Sequence, residues 1–286
     1  PEQRAQETLK RFFQGPVNLL DTSRNYAMGE SEKRIGIAIK ENGGWPENFV
    51  LSTKIDRNMD TLILDKKRTR ESIEESLKAL NVDSVDVLFL HDPEYVKDIN
   101  DVTKKDGALD ELFKIKEEGL AKAVGLAMGR IDIMFPILRK WDFDVIINHN
   151  RYTLLNREAD EMYSYAHSKN ISIFNAAPYA GGVLAKGPSN FKKITYQDAT
   201  EEKLAPAIEI EKVCKKYNVE MGAAALQFSM KDKRITSTIC GVTSVQSIEK
   251  NLAWAKTDIP EEFWNEVLKL PYSTKDPESE RTYTPG

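Results

Sequence analysis

Seven short apolar runs, each followed by a longer stretch with helical spacing, constrain this chain more than any other feature of its sequence. The runs are NLLDTS (18–23), FVLSTK (49–54), DVLFLHD (86–92), AKAVGLA (121–127), FDVIINH (143–149), ISIFNAA (171–177) and STICGVT (237–243). Each is rich in Val, Ile, Leu or Phe and too short for a helix, as strands covered on both faces are. Between them the pattern predicts helices over 30–41, 66–80, 110–118, 130–140, 156–168, 204–217, 221–230 and 247–256. Ile35, Ile37 and Ala38 are expected on one side of the first. Ile73, Leu77 and Leu80 mark the second, and Leu112, Phe113 and Ile115 the third. Thr69, with Ser72 and Glu75 nearby, reads as a helix-start region, and Pro260 before acidic residues as another.

Strand and helix in strict alternation mean βαβ units and a parallel sheet. Right-handed crossovers leave two solutions, a doubly wound open sheet or a closed (β/α)8 TIM barrel. No Gly/Pro/Ser-rich linker divides the chain, so residues 1–286 read as a single domain with an irregular tail over about 272–286. That tail is either a frayed terminus or a loop over a barrel mouth. Only seven strands are counted, and residues 2–13 read as a helix. A seven-strand barrel exposes two edges, so a first strand is expected upstream of residue 1.

Composition removes other classes. With 41% hydrophobic and 30% charged residues, the 286-residue chain has material for a full core and is not a disordered chain. No uncharged apolar run approaches the roughly 18 residues of a membrane span. The charged start, PEQRAQE, is not a signal peptide. A net charge of -4 without a Lys/Arg block speaks against nucleic acid. Two cysteines, Cys214 and Cys240, neither in a CxxC, speak against disulfide scaffolds and cysteine zinc sites. No His/Cys/Asp spacing argues for a metal. The expectation is a cytoplasmic protein, a monomer or homo-oligomer, acting on a small molecule without nucleic acid or membrane.

Polar residues recur at the ends of successive strands. Asp21 stands near the end of the first run, Lys54 ends the second, and His91 and Asp92 end the third; Tyr26 follows the first run closely. In a parallel barrel all these ends open onto one face, where active sites are built. A free tyrosine, with a pKa near 10, is a poor acid or base at neutral pH. A neighbouring ammonium is expected to lower that value, and a carboxylate to hold the ammonium. A neutral histidine is expected to donate to a carbonyl or hydroxyl oxygen. Together they suit carbonyl reduction or alcohol oxidation beside a nicotinamide. Singly, each residue has an ordinary structural use. Jointly, at successive strand ends, coincidence is a poor account of them.

NLLDTSRNYAMGESEKRIG, FVLSTK and SVDVLFLHDP resemble the aldo-keto reductase pattern, and the resemblance runs from about residue 18 to 251. It implies a (β/α)8 barrel, an NAD or NADP cofactor bound without a Rossmann domain, and a catalytic tetrad of Asp21, Tyr26, Lys54 and His91. The chain has no GxGxxG after a strand; GLAMG (125–129) has the wrong spacing. Departures from the pattern matter. Ala127-Met128 replaces the family's Ser-Asn pair. Asn148 and His149 match its Asn-Gln, His149 either donating in place of the Gln or packing under a loop. Asn175 stands where many relatives stack a Tyr on the nicotinamide. The run NAAPYAGG (175–182) resembles the branch that oxidises aldoses to lactones, which implicates Ala176, Pro178 and Gly182 beside a pyrophosphate. GVTSVQSIEKN (241–251) resembles the adenosine-phosphate segment and implicates Gly241, Thr243, Ser244 and Asn251. Gly241 and Ser247 stand where NADP-preferring relatives carry Lys and Arg, which favours NAD; Lys250 offers a substitute cation. Arg57, Asp92, Tyr95, Arg151 and Tyr152 follow strand ends and are the candidates to line a sugar site. Trp45 and Trp254 either join them or pack.

The leading expectation is an NAD(P)-dependent dehydrogenase that oxidises an aldose at C1 to a lactone. The alternatives are an NADPH-dependent aldehyde or ketone reductase, a pyridoxal dehydrogenase, or, from another class, a cofactor-binding barrel of the channel-subunit kind.

Overall fold

The structure is a computed structural model that describes residues 2–279 and 281. Its described residues form two compact units, one of residues 2–146 and 243–245, the other of the remainder. Every strand read from the sequence is present.

In the first unit, β1 (Leu19–Asp21), β2 (Val50–Ile55), β3 (Val85–His91) and β4 (Ala121–Met128) pair in that order, all parallel. The register aligns Asp21 with Ser52, Lys54 with Phe89 and His91 with Ala127. Asp21 and His91 therefore end their strands and Lys54 lies one residue from the end of its own. Period-2 alternation puts Lys54 and Asp56, two apart, on one side of the chain. Gly125 is the first glycine of GLAMG. A Cβ there would stand 2.0 Å from the Val145 carbonyl oxygen, so the glycine serves strand packing and not a phosphate. The division between the units falls within β5 (Val145–His149).

Helices Glu2–Phe13, Glu30–Glu41, Lys66–Leu80 and Ala108–Glu117 also belong to this unit. In Glu30–Glu41 the buried residues are Glu32, Ile35, Gly36, Ala38 and Ile39, while Ile37 is 46% exposed, a correction to the expected face. Two residues turn a helix by about 200°, so Ile37 points away from Ile35. A second correction concerns the next helix start. Asp65, not Thr69, is the cap: its Oδ1 accepts the Arg68 N–H at 2.8 Å. Thr69 lies one turn in, donating its hydroxyl to the Asp65 carbonyl at 2.8 Å. Ile73 and Leu80 on the inner stripe are fully buried, each stabilising by roughly 1.5–3 kcal/mol. The two helices touch where Gly36 meets Ala79; a Cβ at 36 would lie 2.0 Å from the Ala79 carbonyl oxygen. Trp45 packs edge-on against Phe13 and Phe49 and donates Nε1–H to the Phe49 carbonyl at 3.1 Å. Phe49 precedes β2, so Trp45 lies at the opposite end of that strand from Lys54 and packs.

In the second unit β6 (Ser172–Ala176) carries Asn175 near its end. Two-residue strands β7 (Lys193–Ile194) and β8 (Gln197–Asp198) form an antiparallel hairpin too short to leave an alternation in the sequence. Strand β9 (Ser237–Ile239) pairs parallel to β6, aligning Asn175 with Thr238. Helices Glu201–Lys216 and Met221–Met230 bury Ile210, Cys214, Ala224 and Phe228. Trp254 is buried, edge-on to Tyr179 and against Gly222, so it packs. The described part of the tail is irregular, as expected, but not frayed. Ser273 bridges to Asn156, Asp276 pairs with Arg151 at 2.6 Å, and Glu278 also pairs with Arg151. Residue 280 and residues 282–286 of the expected tail lie outside the described residues. Among the described residues no helix is long and apolar enough to cross a membrane, and no cluster of His, Cys, Asp or Glu suits a metal ion.

Candidate active site

The first unit gathers Asp21, Tyr26, Lys54 and His91. Lys54 Nζ donates to Asp21 Oδ2 and to the Thr22 carbonyl, both at 2.6 Å. The other Asp21 oxygen accepts Ser52 Oγ–H at 2.8 Å. Both charged side chains are buried, and their pairing offsets the desolvation each would otherwise carry. The Lys54 ammonium lies 4.6 Å from the centre of the Tyr26 ring, and that ring stands edge-on to His91 with centroids 5.7 Å apart. Tyr26 opens a tight turn in which Ala27 and Met28 take φ of 51° and 54°. Non-glycine residues enter that left-handed region at roughly 1–2 kcal/mol each, so the surrounding packing holds the turn, and with it the phenol, in place.

Asp56 joins the group unannounced. Its Oδ1 accepts from His91 Nδ1 at 2.6 Å. Its Oδ2 accepts from the Ser23 hydroxyl and from the Asn25 N–H at 2.9 Å. Asp92, with φ of 46°, follows His91 and brings Oδ1 within 3.7 Å of His91 Nε2. The sequence carried a signal for Asp56, a charged residue two places beyond Lys54 at a strand end, but only the fold shows its partner 35 residues away.

These environments shift the titrations. Burial pushes the Tyr26 phenol up, the Lys54 ammonium pulls it down, and the net is above the ordinary value, a correction to the lowering expected from Lys54 alone. The residue is 42% exposed overall, yet its ring stands over the buried ammonium. Burial opposes the Lys54 charge, but the Asp21 carboxylate overrides it and raises the ammonium. For His91 burial again opposes charge, and Asp92 and then Asp56 outweigh it, raising the imidazole. Asp56 is lowered, because His91 and the hydrogen bonds outweigh burial. Glu94, another residue the pattern does not reveal, is pushed up to about 7 by burial and then by Asp92. Its Oε1 accepts the Gly129 and Arg130 N–H groups at 2.8 and 3.3 Å. Of the expected substrate contacts, Arg57 is buried with its guanidinium 5.6 Å from the Tyr95 ring. Thr243 is exposed and Ser244 half-buried.

The second unit treats its expected site residues differently. Asn175 is fully buried, its Oδ1 accepting Tyr163 O–H at 2.8 Å. Its Nδ2 donates to the Tyr152 carbonyl at 3.0 Å and to Ser229 Oγ at 2.8 Å. Both amide hydrogens are committed to the interior, a structural role in place of the expected cofactor contact. Tyr152 is likewise corrected. Its hydroxyl donates to Asp232 Oδ2 at 2.6 Å and accepts from Arg234 at 2.9 Å, and its ring stacks on Phe228. Arg151, 1% exposed, is spent on Asp276 and Glu278 and not held out for a sugar. Asn148 is buried; His149 is half-buried, its Nδ1 3.2 Å from Asn150 Nδ2 and 3.4 Å from Glu278 Oε2.

The expected pyrophosphate segment is a tight turn of small residues. After half-buried Ala176, residues Ala177, Ala180, Gly181 and Gly182 take φ of 53°, 49°, 73° and 117°, around buried Pro178. The Ala177, Ala180 and Gly182 N–H groups donate to the Ile239, Ala177 and Tyr179 carbonyls at 3.3, 3.1 and 2.9 Å, so these three bonds hold the turn itself. Gly241 is exposed, with nothing within 4 Å of an added Cβ. Asn251 Oδ1 accepts Tyr179 O–H at 2.7 Å. The Lys250 ammonium lies 4.6 Å over the Trp254 ring.

Known proteins place the chain. The model described as "Aldo/keto reductase family" matches residues 1–270. L-galactose dehydrogenase of Arabidopsis thaliana is 29% identical over 264 residues, 88% of this chain and 78% of that one. D-threo-aldose 1-dehydrogenase of Pseudomonas sp is 28% identical over 91% of this chain and 86% of its own. Among solved structures, the holo form of an aldo-keto reductase from Bacillus halodurans aligns with a TM-score of 0.79 at 19% identity. The alignment covers 99% of this chain and 91% of that one. This likeness shows the fold, the (β/α)8 barrel.

Proposed function

The chain belongs to the aldo/keto reductase family, and from that premise we propose that this oxidoreductase oxidises an aldose at C1 to the lactone. One observation carries the chemistry. A buried ammonium, pinned by Asp21, underlies the Tyr26 ring while His91 stands at that ring's edge. The aldose assignment is supported by the two sugar dehydrogenases above and by the small-residue run after β6.

A bound nicotinamide supplies the hydride acceptor. Ala176, Pro178, Gly182, Gly241 and Asn251 are the residues proposed to hold the dinucleotide, with Asn148 and His149 at its carboxamide and Thr243 and Ser244 at its adenosine phosphate. No cation stands at position 241 or 247, and Lys250 lies over Trp254, so NAD is the favoured form. Tyr26 takes the proton of the anomeric hydroxyl, Lys54 stabilises the phenolate as charge develops on it, Asp21 keeps Lys54 charged and in place, and His91 positions the oxygen. The Tyr26 phenol rests above its ordinary value, so it is protonated at neutral pH in the resting protein.

The test is absorbance at 340 nm with the purified chain, aldoses or pyridoxal with NAD or NADP, and aldehydes with NADPH. The expected result is a rise with an aldose and NAD. Turnover confined to pyridoxal, or to aldehydes with NADPH, replaces the sugar reading. No change with any pair overturns catalysis and favours a non-catalytic, cofactor-binding barrel.

A further inference from the structure

We propose that Asp56 is a positioning residue for His91: its carboxylate takes the Nδ1 proton, fixes the ring, and holds it as an imidazolium whose Nε2–H is the donor to a substrate oxygen. The geometry is specific. Asp56 Oδ1 lies 2.6 Å from Nδ1, and its Oδ2 is anchored by the Ser23 hydroxyl and the Asn25 N–H, so the carboxylate cannot swing away. Its backbone is fixed too, the N–H donating to Ser72 Oγ at 3.0 Å and the carbonyl accepting from Arg68 Nε at 3.0 Å. Asp56 is 2% exposed, which makes the ion pair a short one in a medium that screens it little.

The consequence for the ring is a choice of protons. A neutral histidine has one N–H, and a carboxylate at Nδ1 claims it. Nε2 is then a bare lone pair, which cannot donate to an oxygen. Only the doubly protonated ring serves Asp56 and a substrate oxygen together. The charges that face His91 decide between these states. Asp56 at Nδ1 and Asp92, 3.7 Å from Nε2, favour the cation; the Lys54 ammonium opposes it; Ser23 and Tyr26 are neutral. Two carboxylates against one ammonium leave the cation favoured. The part of this inference that concerns substrate rests on the proposed dehydrogenase reading; the Asp56–His91 pairing does not.

The test reads the ring nitrogens directly. The chain has three histidines, His91, His149 and His167, so long-range 1H–15N spectra are simple, and His91→Gln assigns the signal. In the native chain at pH 7 both nitrogens of His91 are expected to be protonated. In Asp56→Asn the midpoint of its titration falls by about one pH unit or more, and the alkaline limb of kcat/KM moves down with it. A bare Nε2 in the native chain at pH 7 overturns the proposal, as does a midpoint unmoved in Asp56→Asn. Should that variant not fold, the native spectrum alone decides. The expected spectrum with no turnover on any substrate defeats the dehydrogenase reading and leaves the pairing standing; turnover with a bare Nε2 does the reverse.

Discussion

Tyr26 and Tyr152 were both read as site residues, and the two units of the molecule give them opposite partners. Tyr26 stands over an ammonium and is 42% exposed; Tyr152 is buried and donates its proton to the Asp232 carboxylate. A cation beside a phenol stabilises its loss of a proton, whereas a carboxylate acceptor requires the proton to stay. Burial and then Asp232 push the Tyr152 phenol up. The same contrast holds for the buried cations. Lys54 is held by one carboxylate beneath a half-exposed ring, while Arg151 is enclosed by Asp276 and Glu278. The buried charge of Lys54 lies beneath a group that faces outward; that of Arg151 fastens one chain segment to another.

That contrast can be broken by experiment. The largest effect belongs to Arg151→Ala. It leaves Glu278, its side chain 2% exposed, with only one of its two guanidinium partners, Arg281 at 2.6 Å, and removes Arg151 from Asp276, and chemical denaturation is expected to show a loss of about 3–5 kcal/mol. Next, Tyr26→Phe is expected to lower kcat at least 100-fold, about 2.7 kcal/mol of barrier, with the melting temperature nearly unchanged. Near-normal turnover would remove Tyr26 from its role. Third, Asp232 is held down to about 2, mainly by Arg234 and Tyr152 against the pull of burial. A depressed carboxylate contributes stability above its unfolded pKa near 4 and loses it as pH falls through the folded value. Between pH 5 and 2 the native chain should lose about 2 kcal/mol more than Asp232→Asn. The smallest effect is Tyr152→Phe, about 1 kcal/mol of stability with kcat per folded molecule retained. If Tyr152→Phe abolished turnover and Tyr26→Phe only destabilised the fold, the contrast between the units would be reversed.

Much of the first unit was legible because its information is local. Asp21, Lys54 and His91 sit at the ends of apolar runs, and parallel register brings such ends together whatever lies between them. Asp56 was not recovered, although it follows the same period, because its meaning depends on His91. The second unit hid more for the same reason. Nothing near Arg151 in sequence announces Asp276 and Glu278, 125 and 127 residues on, and nothing near Tyr152 announces Asp232. An arginine or tyrosine after a strand end reads as a ligand contact until its distant partner is seen. Asn175 misled similarly, since an amide at a strand end is equally suited to a ligand and to knitting Tyr152, Tyr163 and Ser229 together. The face containing Ile37 failed on angle alone, and the hairpin of β7 and β8 was too short to register.

Gly36 lies on a helix that carries none of the groups with a reactive proton. Its backbone nonetheless presses against Ala79 so closely that even a methyl has no room, and this helix begins immediately after the turn that aims Tyr26. A saturation library screened for turnover would therefore return glycine at position 36 almost as stringently as tyrosine at position 26. Anyone redesigning the specificity of this protein should treat that distant seam as fixed ground.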